Sequence, residues 1–498
     1  MPNRRITIIL NSNQTKRITV LVPVPTSGDT EYNVKEHILL QARNKFLNRY
    51  LSVVYLWGGE ELKDGEVLSD KEEEVLVSKG EAYIGPPKKQ KRSDGKVGEV
   101  RVLANTSFVH EEAVKQLEAV AELEGVYAAV GMPDLHKGDR FPIGCAIAAK
   151  GIYPALIGSD IGCGISLYPL GTKPAHLTPE KLALRLRRLD EPWEGDARAW
   201  LKLYGIEKET EWDMESLGTV GGGNHFAEIV TVERIVDAEA CESMGVSENH
   251  LYLLAHTGSR GLGASILRDY TRSNGNPYLT SDNPEFNVYL EQHNHTVLWA
   301  KANRDLLAHR IKNCIFRQIQ EQREDEDANE LVETKEEAET SRDPREDLGK
   351  ILDVTHNSVR QCGYEVDGNM VDVWLHRKGA APTDQGFVPC PGSRGDFSWI
   401  LQPMGDGQSN AHSLAHGAGR LHARNAPNLR RGKVDELTTT SLGSCVICTD
   451  PDLLVQERPE AYKSVQAVVD DMEEGGIAEG VVVLRPYVTY KTSQERGK

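Results

Sequence analysis

This chain of 498 residues has no apolar run close to the roughly 20 residues needed to span a bilayer. Its opening stretch, "MPNRRITIIL", carries two arginines but too short an apolar run for a secretory signal. Cysteine is scarce. Eight thiols in a chain this long are not a disulfide framework, which points to a reducing, cytoplasmic or nuclear setting. Basic charge is also in deficit, and a net charge of −17 at first argues against a nucleic-acid partner. That excess is localised, however. Residues 321–347 hold thirteen acids against four basic residues, a net of −9, so more than half the imbalance sits in one low-complexity run. Such a run is expected to be a solvated, disordered insertion. The remaining −8 excludes nothing, and basic clusters such as "RLRRL" (185–189) and "HARNAPNLRRGK" (422–433) leave RNA open. Hydrophobic residues at 39% and charged ones at 27% suit a soluble globular protein of more than one domain.

The first 85 residues read as a separate small domain. "RITIILNS" alternates with Ile6, Ile8 and Leu10 on one face, and "RITVLVPV" repeats the pattern with Ile18, Val20 and Val22, which predicts a hairpin. Val34, Ile38, Ala42 and Phe46 then mark one stripe of an amphipathic helix. The strand-like "SVVYLW" leads into "GGEELKDGEVLSD", and the whole resembles a ubiquitin-like β-grasp domain. It ends in "EAYIGPPKKQKRSDGK" without the diglycine used for conjugation, so a docking module for a protein partner is expected. Residues 86–96 form a basic linker, with "PPKKQKR" also shaped like a nuclear-import signal. From 97 to 498, strand-like runs, helical stretches and glycine-rich turns alternate. "HNH" (293–295) precedes a helical pattern and is expected at a helix entry.

The chemistry concentrates in unusual loops. "IGSDIGCGIS" (157–166) sets Asp160 and Cys163 three positions apart among glycines. Further segments place a histidine near glycine, serine or asparagine: "GMPDLHKGDRFPIG", "GTVGGGNHFAE", "LAHTGSRGLG", "DVTHN" and "LAHGAGR". Strand-end loops are where sites are assembled. Asp160, Cys163, His225, His256 and His356 form a mixed O, S and N ligand set suited to manganese, iron or zinc, and a thiolate can bridge two ions. "GGGNH" would expose backbone N–H groups able to cradle phosphate. A histidine outside the coordination sphere could act as a nucleophile. These residues point to metal-assisted phosphoryl or nucleotidyl transfer, with the metal left open.

From about residue 97 onward, these ordered motifs resemble the RtcB-type RNA ligases. The resemblance implies an α+β body with mixed β-sheets and surrounding helices. It implies joining of RNA 3′-phosphate or 2′,3′-cyclic phosphate ends to 5′-hydroxyl ends, with GTP and two manganese ions, in tRNA splicing or RNA repair. It places Cys163 as a thiolate shared by two ions, with Asp160, His225, His256 and His356 as further ligands. His416 of "HGAGR" would carry the GMP. Asn224, His225, Phe226, Ala227 and Glu228, together with His356 and Asn357, match nucleotide-holding positions. So do Pro391, Gly392, Ser393, Arg394 and Ser398, the loop His416, Gly417, Ala418 and Gly419, and, near the C-terminus, Tyr462 and Lys491. Asp134, His136 and Arg260 would support handling of the RNA ends. Where many members have "PGSMG", this chain has "PGSRGDFS", and "HKGDR" is more charged than the common form. Two other classes compete: a metal-dependent phosphodiesterase or phosphatase on the same ligands, and an idle scaffold. A hydrolase has no need of a guanylylated His416, and a scaffold has no need of the complete ligand set.

Overall fold

The computed structural model describes residues 3–23, 33–57, 59–69, 72–84, 97–186, 188–274, 277–326, 343–424, 426 and 437–493. The basic segment 86–96 and residues 327–342 of the acidic run lie outside them. Among the described residues, no helix is long and apolar enough to cross a membrane.

At the N-terminus, the strand Asn3–Leu10 pairs antiparallel with Asn13–Pro23 and parallel with Glu74–Ser78, which in turn pairs antiparallel with Val53–Leu56. The expected helix spans Val34–Phe46, and the Asn33 side chain accepts a hydrogen bond from the Glu36 N–H at 3.2 Å. An oxygen at that position satisfies an N–H that has no partner within the helix. Val34, Ile38 and Ala42 are buried against Ile6, Ile8, Val54 and Val75. Ile9, on the other sheet face, is equally buried, because Tyr55, Leu76 and Tyr83 cover it. The rest of that face stays open, with Arg5, Arg17, Thr19 and Leu21 exposed, so the hairpin is half-buried as expected and Ile9 alone departs from the alternation. The Arg140 guanidinium lies 5.3 Å from the Tyr83 ring and 4.9 Å from the Phe141 ring, joining this module to the body.

The body is a mixed α+β structure built on two main sheets. The larger has eight strands, and seven of them run antiparallel in the spatial order Leu352–Thr355, Gly164–Pro169, Leu251–Thr257, Phe226–Ile235, Ala478–Tyr490, Ser398–Pro403 and Val388–Pro391. Cys445–Ile447 adds to Ala478–Tyr490 in parallel. The second sheet orders Asn357–Val366, Asn369–Lys378, Ile143–Ala149, Val126–His136 and Glu99–Val102. A short pair, Ala380–Pro382 with Ser413–Ala415, lies beside them. One continuous core holds Ala128 and Val130 of the second sheet together with Ile165, Leu254 and Val482 of the first.

The helix Glu285–Glu326 buries Trp299, Ala300, Leu306 and Leu307. Two expectations are corrected here. "HNH" lies well inside this helix rather than at its entry, and His293 is buried, its Nε2 accepting the Val359 N–H at 3.1 Å. Residues 321–326 of the acidic run continue the helix. Extending an existing helix avoids the cost of nucleation, and Glu, Gln and Arg are good helix formers.

Candidate active site

The antiparallel registers bring four loop ends to one end of the large sheet. Thr257 and Thr355 both pair with Gly164, His256 pairs with Phe226, and Tyr490 pairs with Ala227. Cys163, His225, His256, His356 and Lys491 therefore converge although they are spread over more than 300 residues of sequence. Gly258 and Gly164 permit the approach. A Cβ on Gly258 would overlap the Asp160 carboxylate, and one on Gly164 would lie 2.5 Å from the Val354 carbonyl. Arg304, fully buried in the long helix, donates to the Gly162 and Thr257 carbonyls at 2.9 and 3.0 Å and pairs with Asp353 at 2.8 Å.

Two donor groups result: Asp160, Cys163 and His225, and Cys163, His256 and His356. Cys163 belongs to both. Its Sγ lies 3.3 Å from His225 Nε2 and 3.3 Å from His256 Nε2. His256 and His356 face each other through Nε2 at 3.3 Å, and His225 Nε2 lies 2.8 Å from Asp160 Oδ2. Such separations suit neighbouring corners of a shell with metal–ligand bonds of about 2.0–2.3 Å. Burial holds His256 well below the usual imidazole range, reinforced by His225 and His416, and His356 likewise, reinforced by His416 and His256. Both rings are thus neutral and able to bind a metal. Burial opposes ionisation of Asp160, yet His225 overrides it and holds the carboxyl at about 2. Burial, then Asp160, pushes the Cys163 thiol up, and a bound cation is what would reverse that. The donor set fits divalent metal.

The second sheet supplies the other half of the site. Asp134 and His136 end the strand Val126–His136. Asp134 Oδ2 lies 2.6 Å from His416 Nδ1, a contact between residues 282 positions apart. A Cβ on Gly419 would strike the Asp134 carbonyl, so the "HGAGR" loop can approach only as glycine there. Lys463 Nζ donates to the Pro133 and Leu135 carbonyls at 2.9 and 2.8 Å, holding the strand end on either side of Asp134. Burial pushes His136 down to about 4, so that ring is neutral at physiological pH. The His416 ring lies 4.7 Å from His356 and 6.4 Å from His256, centroid to centroid.

A cleft opens from His416 and His256 toward Tyr462 and Lys491, bordered by Asn224, Phe226, Ser393, Arg394, Arg420 and Glu457. At its far end Glu457 is buried, bonded to the Tyr462 hydroxyl, with Arg420 at 3.0 Å and Lys491 at 3.5 Å. A planar ligand would meet the Tyr462 face, buried cations and a carboxylate there, while His416 would meet its other end. A family model described as tRNA-splicing ligase RtcB matches residues 116–192 and 201–492.

The chain belongs to the RtcB family.

Its similarity to the RNA-splicing ligase RtcB2 of Escherichia coli is 36% identity over 398 residues, covering 79% of this chain and 95% of that one. The tRNA-splicing ligase RtcB of Thermococcus kodakarensis is 28% identical over 470 residues, covering 78% and 93%. The RNA-splicing ligase RtcB homolog 1 of Entamoeba histolytica is 28% identical over 459 residues, covering 76% and 83%. Membership makes the chain an enzyme of a ligase family, and its mixed sheets are those of an RtcB body.

Not every residue expected from the RtcB resemblance reaches the cleft. His136, Asn224, Phe226, Pro391 to Arg394, the loop 416–419, Tyr462 and Lys491 border it. Ala227, Glu228, Asn357, Ser398 and Arg260 are not among the described residues that do. Ala227 is a buried rung paired with Ala255 and Tyr490. Glu228 accepts from the Thr489 hydroxyl at 2.6 Å, and burial pushes its carboxyl up to about 7. Ser398 is buried between Pro391 and Leu484. The Asn357 amide is spent on the Asp160 carbonyl at 3.0 Å and the Gly379 N–H at 2.7 Å, so it positions the metal loop. Arg260 donates to Thr219 Oγ1 at 3.2 Å, behind the glycine loop that carries His225. Sequence reasoning missed Glu457, Arg420, Arg424, Lys463 and Arg304. Glu457 lies five positions before Tyr462 and Lys463 directly after it, so the sequence around Tyr462 was the signal that could have found both.

Proposed function

We propose that this chain is a GTP- and manganese-dependent RNA ligase. It joins RNA 3′-phosphate ends, or 2′,3′-cyclic phosphate ends once opened, to 5′-hydroxyl ends through GMP carried on His416, in tRNA splicing or RNA repair. The observation that carries this reading is the buried Asp134–His416 pair at one end of the cleft. With Nδ1 bonded to a buried carboxylate at 2.6 Å, the proton sits on Nδ1 and Nε2 presents its lone pair. An idle scaffold has no use for so prepared a nitrogen, and a hydrolase has no need of one that carries GMP.

His416 Nε2 attacks the α-phosphorus of GTP, the bond to pyrophosphate breaks, and a phosphoramidate forms. Asp134 offsets the charge that develops on the ring. The GMP passes to the RNA 3′-phosphate, and the 5′-hydroxyl then displaces it, sealing the strand. Asp160, Cys163, His225, His256 and His356 would hold two manganese ions, which supply charge stabilisation at the phosphoryl oxygens. Tyr462 and Lys491 would hold the guanine, with Asn224, Phe226, Ser393 and Arg394 lining the path to His416, and Glu228 and Ser398 supporting that path from behind. His136 would assist the RNA ends, with Arg260 steadying the loop that carries His225 through its bond to Thr219. Residues 1–85 are read as a ubiquitin-like docking module, supported by the parallel central strand pair and the helix packed across it.

Intact-mass measurement after incubation with manganese and GTP tests the reading. A GMP-sized gain in the parent protein and none in His416→Ala is expected. No gain in a metal-loaded parent would sink it and favour a phosphodiesterase on the same ligands.

A further inference from the structure

Phe108 stands out among the surface residues. It is 55% exposed, and among the aromatic residues from 97 onward whose side chains are described no other is exposed. An isolated exposed apolar residue is ordinary in itself; here the placement decides. The turn before it is tightly anchored. The Asn105, Thr106 and Ser107 N–H groups donate to the buried Asp471 carboxylate at 3.0, 2.7 and 2.9 Å. The Phe108 ring meets His110 edge-on, with centroids 4.7 Å apart. His110 Nε2 in turn donates to the Leu421 carbonyl at 2.7 Å. Leu421 follows Arg420, which borders the same cleft as His416. Arg424, also bordering the cleft, leaves half its side chain in solvent.

A fixed, exposed ring tied through His110 to the loop that carries Arg420 and Arg424 is placed to meet a nucleic-acid strand running to the cleft. Bases stack on the ring while cations track the phosphates, and a ring already fixed in place loses little entropy on binding. We propose that Phe108 is a stacking platform for an unpaired nucleobase of the RNA strand entering the site. This rests on the RNA-ligase reading above.

The test uses the full-length protein and a fluorescently labelled single-stranded RNA ending in a 3′-phosphate, with affinity read by anisotropy. Phe108→Ala weakens binding by roughly 5- to 150-fold, the range expected for one stacked base, and Phe108→Trp restores it. The same RNA with an abasic nucleotide at successive positions supplies the matching deletion. The parent loses affinity at one position, and Phe108→Ala loses nothing further there. The proposal is overturned if Phe108→Ala binds as the parent does, if its abasic losses match the parent's at every position, or if the parent holds no RNA. A parent that takes GMP on His416 while binding RNA independently of Phe108 would defeat this inference alone. Phe108-dependent RNA binding without a GMP adduct would defeat the ligase mechanism and leave the platform standing.

Discussion

Replacing Asp134 by asparagine separates the nucleophile from the metals. Asparagine matches aspartate in size, so the strand end held by Lys463 has no steric reason to move. In the proposed mechanism, however, the carboxylate would hold the His416 proton on Nδ1 and offset the positive charge that the ring gains as its N–P bond forms. Oδ1 of Asp134 has no partner among the described groups, so the carboxylate's influence falls on His416. An amide brings no charge and can turn its NH2 toward Nδ1, which favours the tautomer with Nε2 blocked. The corresponding change in a buried Asp–His pair costs roughly 10⁴-fold in rate, about 5.4 kcal/mol at 1.36 kcal/mol per tenfold. Guanylylation of Asp134→Asn, followed by intact mass over time at saturating GTP, should therefore be slower by roughly 10³- to 10⁴-fold. Metal content should match the parent, since Asp134 belongs to neither donor group. A rate within about tenfold of the parent, with metal retained, would refute the assignment of Asp134 as the group that prepares His416.

Cys163→Ser should lower metal content at both positions, whereas His225→Ala should remove one ion and spare the other; elemental analysis of dialysed protein distinguishes them. Gly379→Ala places a Cβ at φ +64° and 2.8 Å from His416 Cε1. It should cost about 1–3 kcal/mol in the backbone and slow guanylylation, read as a lowered Tm and a slower mass gain. For Asp471, burial opposes ionisation, but bonds from Ser107 and Thr106 hold the carboxyl at about 2. A carboxyl depressed in the folded state stabilises fully above its ordinary value near 3.9 and loses that contribution as pH falls toward 2. Asp471→Asn should thus be less stable than the parent at pH 7, with the gap closing between about pH 4 and pH 2 in denaturant titrations.

The parts of the site legible in the sequence are those carried by short segments at strand ends. Asp160 with Cys163, the histidines of "GNH", "HTGSR" and "THN", and His416 each announce themselves beside glycines, because the backbone must come close there. Contacts that depend on how two sheets are laid together leave no local mark. The Asp134–His416 bond spans 282 positions, and Lys463 reaches back 330 positions to Pro133. Nothing beside Arg304 in the sequence marks it, yet its buried guanidinium joins the metal loops. Asn357 was read by its motif as a nucleotide contact, while its amide is consumed in holding Asp160. In the N-terminal module, the alternating pattern disclosed one buried sheet face but not the cover that Tyr83 provides on the other. The acidic run shows the limit of composition: charge density alone does not reveal where a helix already under way will stop.

Thr355 closes a strand of the eight-stranded sheet, Asn357 opens one of the five-stranded sheet, and His356 is the single residue between them. It contributes a donor to one metal position while its ring lies against His416. A slip of one sheet across the other would therefore part His356 from His256 before either sheet lost its own hydrogen bonds. A metal held by the proposed ligands would act as a clasp on that seam. On heating, the enzyme should lose its ions and its activity at a temperature below the one at which its strands come apart.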